Sequence, residues 1–155
     1  MDLQKLQKLV EQAALQVYER DQQLIALSGN EQSIVFRLGL YLNQLLEKKG
    51  FLQHGLSLDS EYNKYEADPK RLGTNLIRPD LLLHKRMNQK ENLLAIECKR
   101  NQSNDSHDLQ KLKQLTLDSN YKYLLGCYIN FANTKPEFTY FVDGKIADNL
   151  AKVIV

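Results

Sequence analysis

Residues 77–100 read IRPDLLLHKRMNQKENLLAIECKR, and the fold is decided by this stretch. Its first third is a short apolar run, its middle is polar from Met87 to Glu91, and its last third is apolar until Glu97 and Lys99. Two strand-length apolar runs around a polar turn predict a β-hairpin over 77–84 and 93–99. The second run is apolar on both faces, which marks a central strand covered from above and below. Pro79 has no N–H to give to a ladder, so the strands are expected to splay at that end.

Helices flank this hairpin. Leu3, Leu6, Val10, Ala13 and Val17 recur at spacings of three and four, predicting an amphipathic helix whose pattern fades through Leu24–Leu27 and stops at Ser28-Gly29-Asn30. A second helix follows from Glu31, with Ile34, Val35, Leu38, Leu42, Leu45 and Leu46 on one face and Gly50 as its stop. Alternation around Leu56 and Leu58 predicts a strand running toward Tyr62, and 68–73 reads as a loop. Beyond the hairpin, Asp105 or Ser106 is placed to cap a helix over about 107–118, with Leu109, Leu112 and Leu115 inward. Strands are expected over 121–131 and 137–142, with Asp143-Gly144 as a turn. The order is α-α-β-β-β-α-β-β, an α/β fold with a mixed central sheet between helices.

The 155 residues, 43% of them apolar, suffice for a single domain over 1–155, with 1–28 an additional N-terminal helix. The opening thirty residues lack the basic start and apolar run of a signal peptide, and no stretch approaches a membrane span. Cys98 and Cys127 fit no metal or redox spacing and read as small buried hydrophobes, so a reducing, cytoplasmic setting is expected. No phosphate-binding G-x-x-x-x-G-K-[ST] loop occurs, so no nucleotide cofactor is expected. Net charge is only +2, but residues 70–100 hold eight basic against three acidic residues, a local field that suits phosphate.

The chemistry lies at the ends of the hairpin. Glu97 and Lys99 are two apart, so on a strand they share one face while Cys98 turns into the core. If 77–84 pairs with 93–99, Asp80 comes beside Glu97. Two adjacent carboxylates raise one another's pKa unless a cation lies between them, and a hard divalent ion with oxygen ligands meets that need. Asp80, Glu97 and the main-chain carbonyl of Cys98 are therefore expected to hold Mg²⁺ or Mn²⁺. Lys99 is placed to orient an attacking water, to take its proton if its own pKa is depressed, and to offer positive charge to a phosphoryl transition state.

Arg78-Pro79-Asp80, sixteen intervening residues and Glu97-Cys98-Lys99 resemble the PD-(D/E)xK nuclease superfamily, which includes restriction endonucleases, Holliday-junction resolvases and phage exonucleases. The resemblance covers about residues 31–131, roughly two-thirds of the chain. It implies a restriction endonuclease-like, three-layer core, DNA as partner, and divalent-metal-dependent endonucleolytic or exonucleolytic cleavage of phosphodiester bonds. It makes Asp80 the metal-binding aspartate, Glu97 the second acid and Lys99 the catalytic lysine. It also implies a glutamate from the helix before the sheet, a position Glu31 fits. Ser28 to Glu31 equally satisfies a capping box, so metal binding and helix capping both stand for Glu31. The helix after the lysine is expected to send one of Gln110, Lys111 and Gln114 toward the site.

Within these 155 residues no module for reading a defined DNA sequence is expected beside the core. One small domain cannot readily cut two strands at once, so nicking, end trimming or a homodimer is expected. The alternative function is a non-catalytic nucleic-acid-binding or protein-interaction domain that keeps the nuclease fold. Arg37 is expected to pair with a carboxylate, Arg100 to serve the surface, and Lys85, Arg86 and Lys90 to form a solvated hairpin tip. Tyr62 and Tyr65 are read as half-buried loop residues, with base stacking as the functional option. His54, His84 and His107 share no ligand spacing.

Overall fold

In the computed structural model of the chain, residues 2–27, 30–62, 64–65, 68–72, 75–88 and 90–147 are described. Four helices, α1 (Leu3–Arg20), α2 (Gln22–Ala26), α3 (Glu31–Lys48) and α4 (Ser106–Leu117), flank one six-stranded sheet. Its strands are β1 (Ser57–Ser60), β2 (Leu81–His84), β3 (Asn92–Arg100), β4 (Leu125–Phe131), β5 (Pro136–Val142) and β6 (Lys145–Ile146), lying side by side in chain order. All neighbours are antiparallel except β3 and β4, which run parallel with α4 as their connection. The chain is thus mixed α/β with a mixed sheet, and the strand expected at 93–99 is internal and almost wholly buried.

Side-chain alternation sorts the sheet into two faces. Leu94, Ile96 and Cys98 join Leu81, Leu83, Leu125, Cys127 and Ile129 under α1 and α3. The α1 stripe Leu3, Leu6, Val10, Ala13 and Val17 is buried in this layer, as the spacing requires. The opposite face, with Leu82, Ala95, Tyr128 and Phe141, packs on Leu112 and Leu115 of α4. Gly126 of β4 permits that approach: a Cβ there would lie 3.2 Å from Thr116 Cγ2 and 3.4 Å from Leu112 Cβ. The β5–β6 hairpin turns at Asp143 and Gly144, both with positive φ (49° and 73°), the conformation a tight two-residue hairpin turn needs.

Four boundaries differ from the sequence reading. The first helix ends at Arg20, where Asp21 leaves helical geometry and its carboxylate takes the Arg37 guanidinium and the Tyr41 hydroxyl. β1 ends at Ser60 rather than near Tyr62, because Glu61 has φ 50° and turns its N–H to the Asp80 carbonyl. The strand expected from residue 77 begins at Leu81: Pro79 interrupts it, and Ile77 bonds to Lys70 instead. β4 begins at Leu125, not Tyr121, because the N–H groups of Tyr121 and Lys122 bond to Asp118 and that of Tyr123 to Leu115. The expected loop at 68–73 instead contributes to two short antiparallel ladders, Lys64–Tyr65 with Asp68–Pro69 and Arg71–Leu72 with Asn75–Leu76. Gly73 lies outside the described residues, as do Ser28 and Gly29.

Candidate functional site

The hairpin register places the two acids together. Leu81 pairs with Ile96, so one step outward sets Asp80 opposite Glu97. Asp80 Oδ2 accepts a hydrogen bond from the Cys98 main-chain N–H at 2.8 Å, fixing the carboxylate to β3. Burial raises the Asp80 carboxyl, with the Asp108 charge adding to the effect and the Cys98 N–H opposing it. Glu97, 2% exposed, is pushed up to about 8, first by burial and next by the Asp80 charge.

Two lysines answer these acids. Lys111, from α4, donates to Glu97 Oε1 at 2.7 Å and to Asp108 Oδ1 at 2.9 Å. Lys99 lies 3.1 Å from Asp108 Oδ2 and 3.4 Å from Glu31 Oε1. Burial alone would lower the Lys99 ammonium, but the Asp108 and Glu31 carboxylates outweigh it and hold it above its ordinary value. That direction opposes the general-base option for Lys99 and favours its service as a fixed positive charge. Asp108 is held low despite burial, because both ammonium groups face it.

Glu31 reaches the lysine rather than the acid pair. The N-cap of α3 is Asn30, whose side chain accepts from the Ser33 N–H, so the capping box from Ser28 is replaced by a cap two residues later. Glu31 becomes the first helical residue, and its carboxylate accepts from Lys99 Nζ and from the Arg100 N–H at 3.3 Å. Of the three polar candidates on α4, Lys111 is the one bonded to the acids. Asp108 has no counterpart in the sequence reading. Its signal was present: Asp108, Leu112 and Leu115 follow the four-then-three spacing of one buried stripe.

Two clefts adjoin the cluster. One, of about 400 Å³, lies between α3 and the β1–β2 edge, with Val35, Phe36, Gly39 and Leu58 on its walls and Asp80 among its lining residues. The other, of about 480 Å³, is lined by Ile77, His107, Gln110, Lys111 and Gln114.

The basic excess of 70–100 is largely consumed internally. Arg86 binds Asp59, Lys85 lies 3.4 Å from Glu91, and the Arg100 guanidinium donates to the Ile25 carbonyl at the end of α2. His84 is buried with Nε2 3.0 Å from Asp59 Oδ2, a structural placement away from the acid pair. Tyr62 packs edge-on against His84. The Tyr65 side chain lies outside the described residues.

The oxygens at this strand end, the Asp80 and Glu97 carboxylates with the Cys98 carbonyl, are the donor type a hard divalent ion takes. Asp108 Oδ2 is buried without a hydrogen bond, its charge met by the Lys99 ion pair. Among the described residues, however, no three His, Cys, Asp or Glu side chains are drawn together as a ready-made cage. The ammonium groups of Lys99 and Lys111 stand between the acids instead. No helix among the described residues is long and apolar enough to cross a membrane. No family model matches the chain, and no curated protein matches it.

Proposed function

We propose that the chain is a divalent-metal-dependent nuclease hydrolysing phosphodiester bonds of DNA, on a restriction endonuclease-like core within one domain. The observation that carries this reading is the meeting of Asp80 and Glu97 at the end of a buried central strand, with Lys99 on the same edge. Asp80, Glu97 and the Cys98 carbonyl would hold Mg²⁺ or Mn²⁺. Such an ion, when bound, polarises a phosphoryl group and acidifies water. Lys99, kept protonated by Asp108 and Glu31, offers charge to the phosphoryl oxygens as negative charge builds there. Glu31 and Asp108 keep the Lys99 ammonium at that edge. Cutting both strands would take two copies of the chain, each presenting one centre.

A panel of supercoiled, linear, single-stranded, flapped and four-way DNA with Mg²⁺ or Mn²⁺ tests the proposal. Wild-type cleavage is expected to fall by about a thousandfold or more in Asp80→Ala and Lys99→Ala. Metal-independent cleavage, or cleavage by both variants unchanged from wild type, would sink it.

The closed ion-pair network favours one second reading, a non-catalytic nucleic-acid-binding or protein-interaction domain of the same fold. Lys111 and Lys99 already neutralise the acids, as a purely structural cluster requires. DNA binding that persists without metal and in Glu97→Gln would select that reading.

A further inference from the structure

The Lys111 ammonium bridges Glu97 and Asp108, and the three side chains are 11%, 3% and 6% exposed. With Asp80 beside them, these buried carboxyl oxygens draw a cation, and Lys111 Nζ is the one that reaches Glu97 and Asp108 both, at 2.7 and 2.9 Å. A lysine supplies a single charge on a flexible four-carbon stem. A divalent ion supplies twice that charge and takes the same oxygens, so the two compete for Glu97. The helix backbone of α4 is held on the sheet by Leu112 and Leu115, and the Lys111 side chain borders an open cleft. That cleft, of about 480 Å³, is also lined by Gln110, Gln114 and His107.

Resting on the nuclease reading, we propose that Lys111 is a displaceable cation: its ammonium holds Glu97 and Asp108 until a divalent cation binds at Asp80 and Glu97, and then turns into the adjoining cleft to meet a substrate phosphate. The lysine is a positioning residue with two places. It keeps the acids from repelling one another in the resting protein, and it couples arrival of the metal to capture of the nucleic acid. Coupling of this kind is reciprocal, so metal should tighten DNA binding and DNA should tighten metal binding.

The test is Mn²⁺ binding by calorimetry without DNA, on the full chain, for wild type, Lys111→Met, Lys111→Arg and Glu97→Gln. Lys111→Met removes the competitor and is expected to bind Mn²⁺ about tenfold tighter. Lys111→Arg keeps the charge and should stay within about threefold of wild type. Glu97→Gln should lose binding. In parallel, the affinity for a phosphorothioate oligonucleotide should rise about tenfold on adding Mn²⁺ to wild type and stay flat in Lys111→Met. A wild-type readout guards against a variant that fails to fold: the side-chain ammonium resonance of Lys111 should shift when Mg²⁺ is added.

Wild type that binds Mn²⁺ through Glu97, with Lys111→Met binding no tighter or the Lys111 resonance unmoved, overturns this proposal alone. An oligonucleotide gain in Lys111→Met equal to that of wild type overturns its phosphate arm. Wild type that binds no divalent ion overturns both this proposal and the nuclease reading.

Discussion

The main-chain N–H of Cys98 donates to the Asp80 carboxylate at 2.8 Å, and this bond ties the residue after Pro79 to the central strand. An asparagine carbonyl accepts the same bond. Asp80→Asn therefore keeps the local geometry and removes one of the charges that Glu97 feels. The expected result is a thermal midpoint equal to or above that of wild type, with Mn²⁺ binding lost and cleavage reduced about a thousandfold. Thermal unfolding beside calorimetry checks it. A large drop in midpoint would assign Asp80 a purely structural role.

Glu97 makes a prediction about pH. Its folded-state value of about 8 lies above the ordinary 4.5. Between the two, the folded protein holds a proton that the unfolded chain has released. Stability should fall as pH rises through that window. Glu97→Gln has nothing to titrate there, so urea unfolding at several pH values should show a flatter slope than wild type. An identical slope in the two proteins would mean that Lys111 keeps Glu97 ionised throughout.

Lys70 makes the opposite prediction. It is buried, its ammonium donates to the Tyr123 hydroxyl at 2.7 Å, and it lies over the rings of Tyr62 and Tyr123. Burial lowers it from 10.5 to about 8, against the pull of Asp59. Between those values the unfolded chain holds the extra proton, so stability should rise with pH across that range. Lys70→Met should erase the rise, at a cost of about 1 kcal/mol for the hydrogen bond that Tyr123 loses. Chemical unfolding at pH 7.5 and 9.5 measures the difference.

Gly126→Ala should disturb the site from a distance. The added methyl meets Thr116, Phe141 and Leu112 at 3.2 to 3.4 Å, so α4 must lift or its side chains must give. A loss of about 1–3 kcal/mol is expected. Because Asp108 and Lys111 ride on α4, Mn²⁺ affinity should change with it. A destabilised variant with unaltered Mn²⁺ binding would show that the metal site does not depend on α4.

The hairpin was legible because its cues are local. Period-two alternation put Glu97 and Lys99 opposite Cys98, and one polar turn set the register that brings Asp80 to Glu97. Asp105 was legible as a cap because its side chain needs only the next turn of helix. Lys111 could not be separated from Gln110 and Gln114, since its inward turn depends on how α4 is rotated over the sheet. That rotation is set by Leu112, Leu115 and the close approach at Gly126. The residues after β1 were misread for a related reason. Their short ladders are held by distant groups such as the Tyr121 hydroxyl, which bonds both main-chain groups of Arg71.

The single parallel junction divides the sheet into two antiparallel halves, β1–β3 and β4–β6, joined through α4. The exposed turn at 101–104 lies on that boundary. A chain cut there would leave Asp80, Glu97, Lys99 and Glu31 in one fragment and Asp108 and Lys111 in the other. The Lys111–Glu97 and Lys99–Asp108 ion pairs would then be contacts between separate molecules. Whatever occupies the acid cluster would thereby set how tightly the fragments hold each other, making fragment complementation a direct reporter of occupancy.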